Sequence, residues 1–107
     1  MVKPDKLFSL LSKKGLTFYT GVPCSIFKDL IICLNRNQKV QHLRATSEGE
    51  AVGLAAGYYL ATKKIPIVYM QNSGLGNAVN PLTSLADKEV YSIPMLLFIS
   101  WRGEPGV

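Results

Sequence analysis

Residues 65–70, Ile-Pro-Ile-Val-Tyr-Met, form a near-continuous apolar run that passes directly into Gln-Asn-Ser-Gly-Leu-Gly-Asn at 71–77. A β-branched run that is apolar at successive positions suits a strand covered on both faces, because a half-exposed strand would alternate. Both faces of a sheet are covered when helices pack on each side of parallel strands. This one segment therefore points to an α/β fold.

The rest of the chain keeps the same rhythm. Residues 17–21 (Thr-Phe-Tyr-Thr-Gly), 40–43 and 93–100 read as further strands, the second of them the weakest. A helix starts at Pro4-Asp5, with Leu7, Phe8, Leu10 and Leu11 on its apolar face and Gly15 at its end. Ser25 can cap a second helix with apolar positions Ile26, Phe27, Leu30, Ile31 and Leu34. A third covers 46–62 and closes on Lys63-Lys64, cations suited to a helix C-terminus, and a fourth runs from the glycine-rich turn through about Ala86. The expected architecture is three-layer α/β/α with a mostly parallel sheet, one domain over residues 1–107 with no internal repeat or linker.

Composition narrows the function classes. With 107 residues and 48% hydrophobic content, disorder is excluded and one domain with a real core is expected. No apolar run is long enough to span a bilayer, and residues 1–6 lack a signal-peptide pattern, so a cytoplasmic location is expected. The net charge is +5, but the cations are scattered and not interleaved with aromatics, which argues against a nucleic-acid surface and fits an anionic small substrate. Two cysteines, Cys24 and Cys33, and the single His42 are too few for a zinc cluster or a disulfide scaffold. Cys33 reads as a small buried hydrophobe; Cys24 falls in a loop and its role stays open.

In an open parallel sheet, ligands bind at the carboxyl ends of the strands. Here the strand-to-helix loops are 21–25, 45–50, 71–77 and 101–107, and the unusual residues fall in them. Ser47 and Glu50 have capping-box spacing, which assigns Glu50 to the start of the third helix. Glu48 becomes the first helical residue, at the strand-end edge, where a carboxyl facing a cleft is a tunable proton donor. Behind it, Gly53 and Gly57 each cost about 1 kcal/mol in a helix interior. Close approach of another backbone, from the sheet or from a partner, would account for them. The segment 72–77 could be a plain turn or a ligand loop, with Asn77 and Asn80 adding donors at the same edge; it is neither GxxxxGK[ST] nor GxGxxG. Trp101-Arg102 places an aromatic and a cation where the last strand exits, as either a solvated pair or an anion contact.

Gly21-Val22-Pro23, residues 47–62 (SEGEAVGLAAGYYLAT) and residues 68–87 (VYMQNSGLGNAVNPLTSLAD) resemble the pyrimidine-binding (PYR) domain of thiamine-diphosphate-dependent decarboxylases. The run at 91–106 (YSIPMLLFISWRGEPG) is most similar to the branch of phosphonopyruvate decarboxylases, with sulfopyruvate decarboxylase alpha subunits next. The resemblance implies that Glu48 bonds N1′ of the cofactor aminopyrimidine, favouring the imino tautomer that removes the thiazolium C2 proton. It implies cofactor contacts for Gly21, Val22, Pro23, Asn72, Ser73, Gly74 and Leu75. Ser25, Asn77, Trp101 and Arg102 are expected near an anionic 2-keto acid. Many relatives carry an acid just after the Gly-Val-Pro turn; Cys24 and Ser25 stand there instead, leaving that acid's role without a holder.

The implied reaction is decarboxylation of 3-phosphonopyruvate to phosphonoacetaldehyde, with sulfopyruvate as the alternative substrate. A non-catalytic association module is the alternative of another class. The family holds the diphosphate through Mg²⁺ on a separate domain with a Gly-Asp-Gly…Asn motif, which these residues lack. The expectation is a PYR domain incomplete at its C-terminus, inactive alone, that works in a homo-oligomer or an alpha/beta hetero-oligomer, with no metal ligand of its own.

Overall fold

The computed structural model describes residues 2–106. Met1, and Val107 at the end of the expected exit loop, lie outside the described residues. The elements are α1 (Pro4–Lys13), β1 (Phe18–Gly21), a 3₁₀ turn (Ser25–Phe27), α2 (Lys28–Arg36), β2 (Gln41–Arg44), α3 (Glu48–Thr62), β3 (Ile67–Gln71), a 3₁₀ turn (Asn72–Gly74), α4 (Leu75–Pro81), a wider π-type turn (Leu82–Ala86) and β4 (Leu96–Ser100). The strands pair in the order β2-β1-β3-β4, all parallel. The expected α/β fold is the one observed.

Side-chain alternation along the strands divides the core into two unlike layers. On one face, α1 and α2 cover Tyr19, Ile67 and Tyr69 with Phe8, Leu11, Leu30, Ile31 and Leu34. On the other, α3 and α4 cover Val68 and Met70 with Ala45, Ala51, Val52, Ala55 and Ala78. β3 is buried from Ile67 to Met70, as its unbroken apolar run required, whereas β2 lies at an edge and is largely exposed.

Several local expectations are corrected. Leu10 and Ile26 are half-exposed, because α1 presents Phe8 and Leu11 to the sheet and Ile26 sits in the 3₁₀ turn before α2 proper. Ser25 makes no capping bond and opens that turn instead. Cys33 is only partly buried, and its Sγ donates to Asp5 Oδ1 at 3.3 Å across the α1–α2 seam. The fourth helix is α-helical only to Pro81, after which the chain widens. Lys63 closes α3 through its backbone: it adopts φ 61°, and its N–H reaches Tyr59 O at 2.7 Å. Gly53 and Gly57 point away from the core, with nothing within 4 Å of where a Cβ would stand, so sheet packing does not explain them.

Candidate active site at the carboxyl edge of the sheet

Because all four strands run the same way, the ends Gly21, Arg44, Gln71 and Ser100 open onto one edge. The chain moves outward from β1 to β2, then returns over β1 to β3. The crevice between the loops after β1 and β3 is thus the topological switch point where α/β sheets bind ligands. Gly21 makes this edge compact: a Cβ there would collide with the Tyr69 carbonyl and ring on the neighbouring strand.

At the start of α3 the two acids separate as their spacing predicts. Ser47 is the N-cap, and its Oγ accepts from Glu50 N at 3.2 Å. Glu50 reaches one residue beyond the usual box: its oxygens accept from Thr46 N at 3.0 Å and Thr46 Oγ1 at 2.9 Å. Those bonds, the backbone one first, hold the Glu50 carboxyl below its ordinary range. Glu50 is fully engaged by its own helix start.

Glu48 faces elsewhere. Its half-buried carboxyl crosses to the β3–α4 segment, where Asn77 Nδ2 donates to Oε2 at 2.9 Å. The chain passes directly beneath it at Gly74, where a Cβ would lie 2.6 Å from both Cγ and Oε1. Gly49 permits the same closeness for the backbone, since a Cβ there would stand 3.0 Å from the Asn77 carbonyl. That carbonyl lies four residues before Pro81, which has no N–H to give it.

The other candidates divide into three groups. Asn72 is a staple: its Nδ2 donates to Arg102 O at 3.1 Å, and its Oδ1 accepts from Arg102 N at 3.3 Å and from Ser73 N at 3.1 Å. This ties the β4 exit to the β3 loop, while the side chains of Trp101 and Arg102 stay exposed. Ser73 Oγ accepts from Gln71 Nε2 at 2.6 Å. Around the β1 loop, Val22 is half-buried, Pro23 and Ser25 are exposed, and Cys24 Sγ lies 3.4 Å from Ser100 Oγ. Leu75 is exposed at the start of α4. Asn80, expected at the same edge, is instead bonded to Ser84 Oγ at 2.8 Å.

Sequence reading missed a polar chain under α2. Tyr69 OH and His42 Nε2 are 2.6 Å apart, and His42 Nδ1 is 3.0 Å from Asn35 Oδ1. Burial, with Arg44 nearby, pulls the imidazole below its usual pKa, and burial pushes the Tyr69 phenol to about 12. The only signal was a histidine on a strand, too common to single out.

The family model described as thiamine pyrophosphate enzyme, N-terminal TPP binding domain, matches residues 4–107. The chain belongs to that family. Among its relatives, the domain is 39% identical over 100 residues to sulfopyruvate decarboxylase subunit alpha of Methanococcus maripaludis, covering 94% of this chain and 58% of the relative. It is 40% identical over 106 residues to phosphonopyruvate decarboxylase of Streptomyces viridochromogenes, covering 99% of this chain and 26% of that one. The chain thus spans little more than half the length of one and about a quarter of the other. Benzoylformate decarboxylase from Polynucleobacter necessarius shares the fold, with a TM-score of 0.78 over 94% of this chain and 18% of its own, at 24% identity.

The edge suits one end of thiamine diphosphate better than the other. A lone carboxyl with one oxygen held by an amide, lying on a glycine, is a partner for a ring nitrogen. Among the described residues no three His, Cys, Asp or Glu side chains cluster to hold a metal. The residues fit the pyrimidine end.

Proposed function

We propose that this domain supplies the pyrimidine-facing half of a thiamine-diphosphate-dependent site that decarboxylates a small anionic 2-keto acid. The observation that carries the reading is Glu48, which, of the two acids at the start of α3, is the one that the helix cap does not consume. Thiamine diphosphate, when bound, supplies the electron sink for the pair released as CO₂ departs. Glu48 holds and shares the proton at the pyrimidine ring. Gly21, Val22 and Pro23, with Asn72 to Leu75, shape the wall of the crevice from the two flanking loops. Ser25, Trp101 and Arg102 are the exposed polar and cationic groups at the same edge available to the substrate's anionic end.

The diphosphate and its Mg²⁺ are assigned to a partner domain or subunit, a reading supported by relatives named as alpha subunits. The substrate is 3-phosphonopyruvate or sulfopyruvate. The identities of 40% and 39% support the two equally. No described helix is long and apolar enough to cross a membrane.

In the assembled enzyme, Glu48→Gln is expected to lower turnover on both keto acids by at least about 10²-fold, the scale of an acid–base contribution. Glu50→Gln, at the cap, leaves turnover per folded molecule near normal. Unchanged turnover in Glu48→Gln overturns the reading and leaves an association module. Turnover on one keto acid and not the other identifies the substrate.

A further inference from the structure

Four carboxamides lie in the β3–α4 region, Gln71, Asn72, Asn77 and Asn80; Gln71 donates to Ser73, and only Asn77 is bonded to the acid. Asn72 is occupied by the Arg102 backbone and Asn80 by Ser84, whereas Asn77 donates to Glu48. We propose that Asn77 is a positioning residue, holding Glu48 Oε2 so that Oε1 is the oxygen that carries and presents the proton. This rests on the role given to Glu48 above.

The inference follows from donor chemistry. A carboxamide NH₂ group can only donate, so the oxygen facing it accepts in both states of the carboxyl. A carbonyl oxygen is a better acceptor than a hydroxyl oxygen, so this donor favours the proton of a neutral Glu48 on Oε1, the oxygen lying over Gly74. The bond also joins separate elements, since Glu48 opens α3 after β2 and Asn77 sits on α4 after β3. Its geometry is fixed from behind by the approach of Gly49 to the Asn77 carbonyl. A carboxyl on a freely rotating stem would spend much of its time misaligned, and misplacement of about 1 Å can cost on the order of 10²-fold. Asn77, expected from the sequence as a substrate contact, is better used here: its donor already has a partner at 2.9 Å.

The test is a double-mutant cycle in the assembled enzyme, with two readouts that do not depend on turnover. Asn77→Ala is expected to lower kcat roughly tenfold, with substrate KM and cofactor Kd, the latter by calorimetry, changed less than about threefold. Exchange of the cofactor C2 proton with D₂O, followed by NMR without substrate, slows by the same factor. Asn77→Asp keeps the shape but sets a second carboxyl against Oε2, and loses more than Asn77→Ala. In a Glu48→Gln background, Asn77→Ala costs nothing further, because it acts only through Glu48. In the cofactor-free chain, the side-chain amide resonances of Asn77 move with Glu48→Gln and stay in place with Glu50→Gln. Additive losses, or a raised KM with unchanged kcat, overturn this proposal alone and return Asn77 to the substrate. Near-normal turnover in Glu48→Gln by itself overturns the role of Glu48, and this proposal with it.

Discussion

The two faces of the sheet are built from different material. Under α1 and α2 lie Phe8, Tyr19, Tyr69 and a set of leucines and isoleucines, with the Phe8 and Tyr19 rings packed edge to face at 5.1 Å. Under α3 and α4 the layer is largely alanine and valine. Large side chains bury more apolar area and hold the fold. Small ones let α3 and α4 lie close to the sheet and to each other, which is what brings Glu48 over Gly74 and within reach of Asn77. One face stabilises; the other places.

The sharpest way to break that division is to damage each face and read stability and site separately. Leu34 is almost fully buried on the large-residue face, and Leu34→Ala is expected to cost about 2–5 kcal/mol in denaturant unfolding. Turnover per folded molecule in the assembled enzyme should be unchanged. Ala55 is fully buried on the other face, and Ala55→Leu overpacks it at about 1–3 kcal/mol. Here the smaller stability loss should come with a loss of turnover per folded molecule, because α3 carries Glu48. If Leu34→Ala harms the site more than Ala55→Leu does, the division is wrong.

That contrast also explains what was legible in the sequence. The strands and helices follow from periodicity, and β3 from an unbroken apolar run, because each is a local pattern. The split between Glu50 and Glu48 was legible too, since a cap is set by spacing along one helix. The contact of Glu48 with Gly74 and Asn77 was not, because it joins residues from two loops and depends on how closely two helices lie. Asn77 and Asn80 look alike in sequence, but only the structure shows that Asn80 is taken up by Ser84 in the widened turn while Asn77 reaches Glu48. Leu10 and Ile26 were misplaced because short amphipathic segments leave their phase uncertain by one position.

A smaller effect probes the polar chain through His42 and Tyr69 on the large-residue face. With Asn35 Oδ1 accepting from Nδ1, His42 Nε2 accepts from the Tyr69 hydroxyl. Tyr69→Phe removes that bond and should cost about 0.5–1.5 kcal/mol. The folded state lowers the imidazole pKa from 6.5, so the unfolded chain binds the proton more readily. This contribution is therefore fully present above about pH 6.5 and falls as the pH drops below it. Thermal melts from pH 8 to 5 should show this loss. In Tyr69→Phe the pH dependence should change, while in Glu48→Gln, on the opposite side of the sheet, it should not.

The smallest expected effect has the opposite sign. Gly53 and Gly57 are exposed on the outer side of α3, with open space where a Cβ would stand. Packing within the chain gives no reason for either glycine, and each weakens the helix by about 1 kcal/mol relative to alanine. Gly53→Ala should therefore stabilise this chain on its own by about 0.5–1 kcal/mol, measured by chemical denaturation. If the small-residue side of the domain places a site that a partner completes, the same substitution should weaken assembly with the diphosphate-binding partner, measured by calorimetric titration. Stabilisation with assembly unchanged would confine the placing role to the inner surface of α3, facing the sheet. Stabilisation with weakened assembly would extend it through the helix to the outer surface, so that one run of small residues serves the Glu48 contact on one side and the partner on the other.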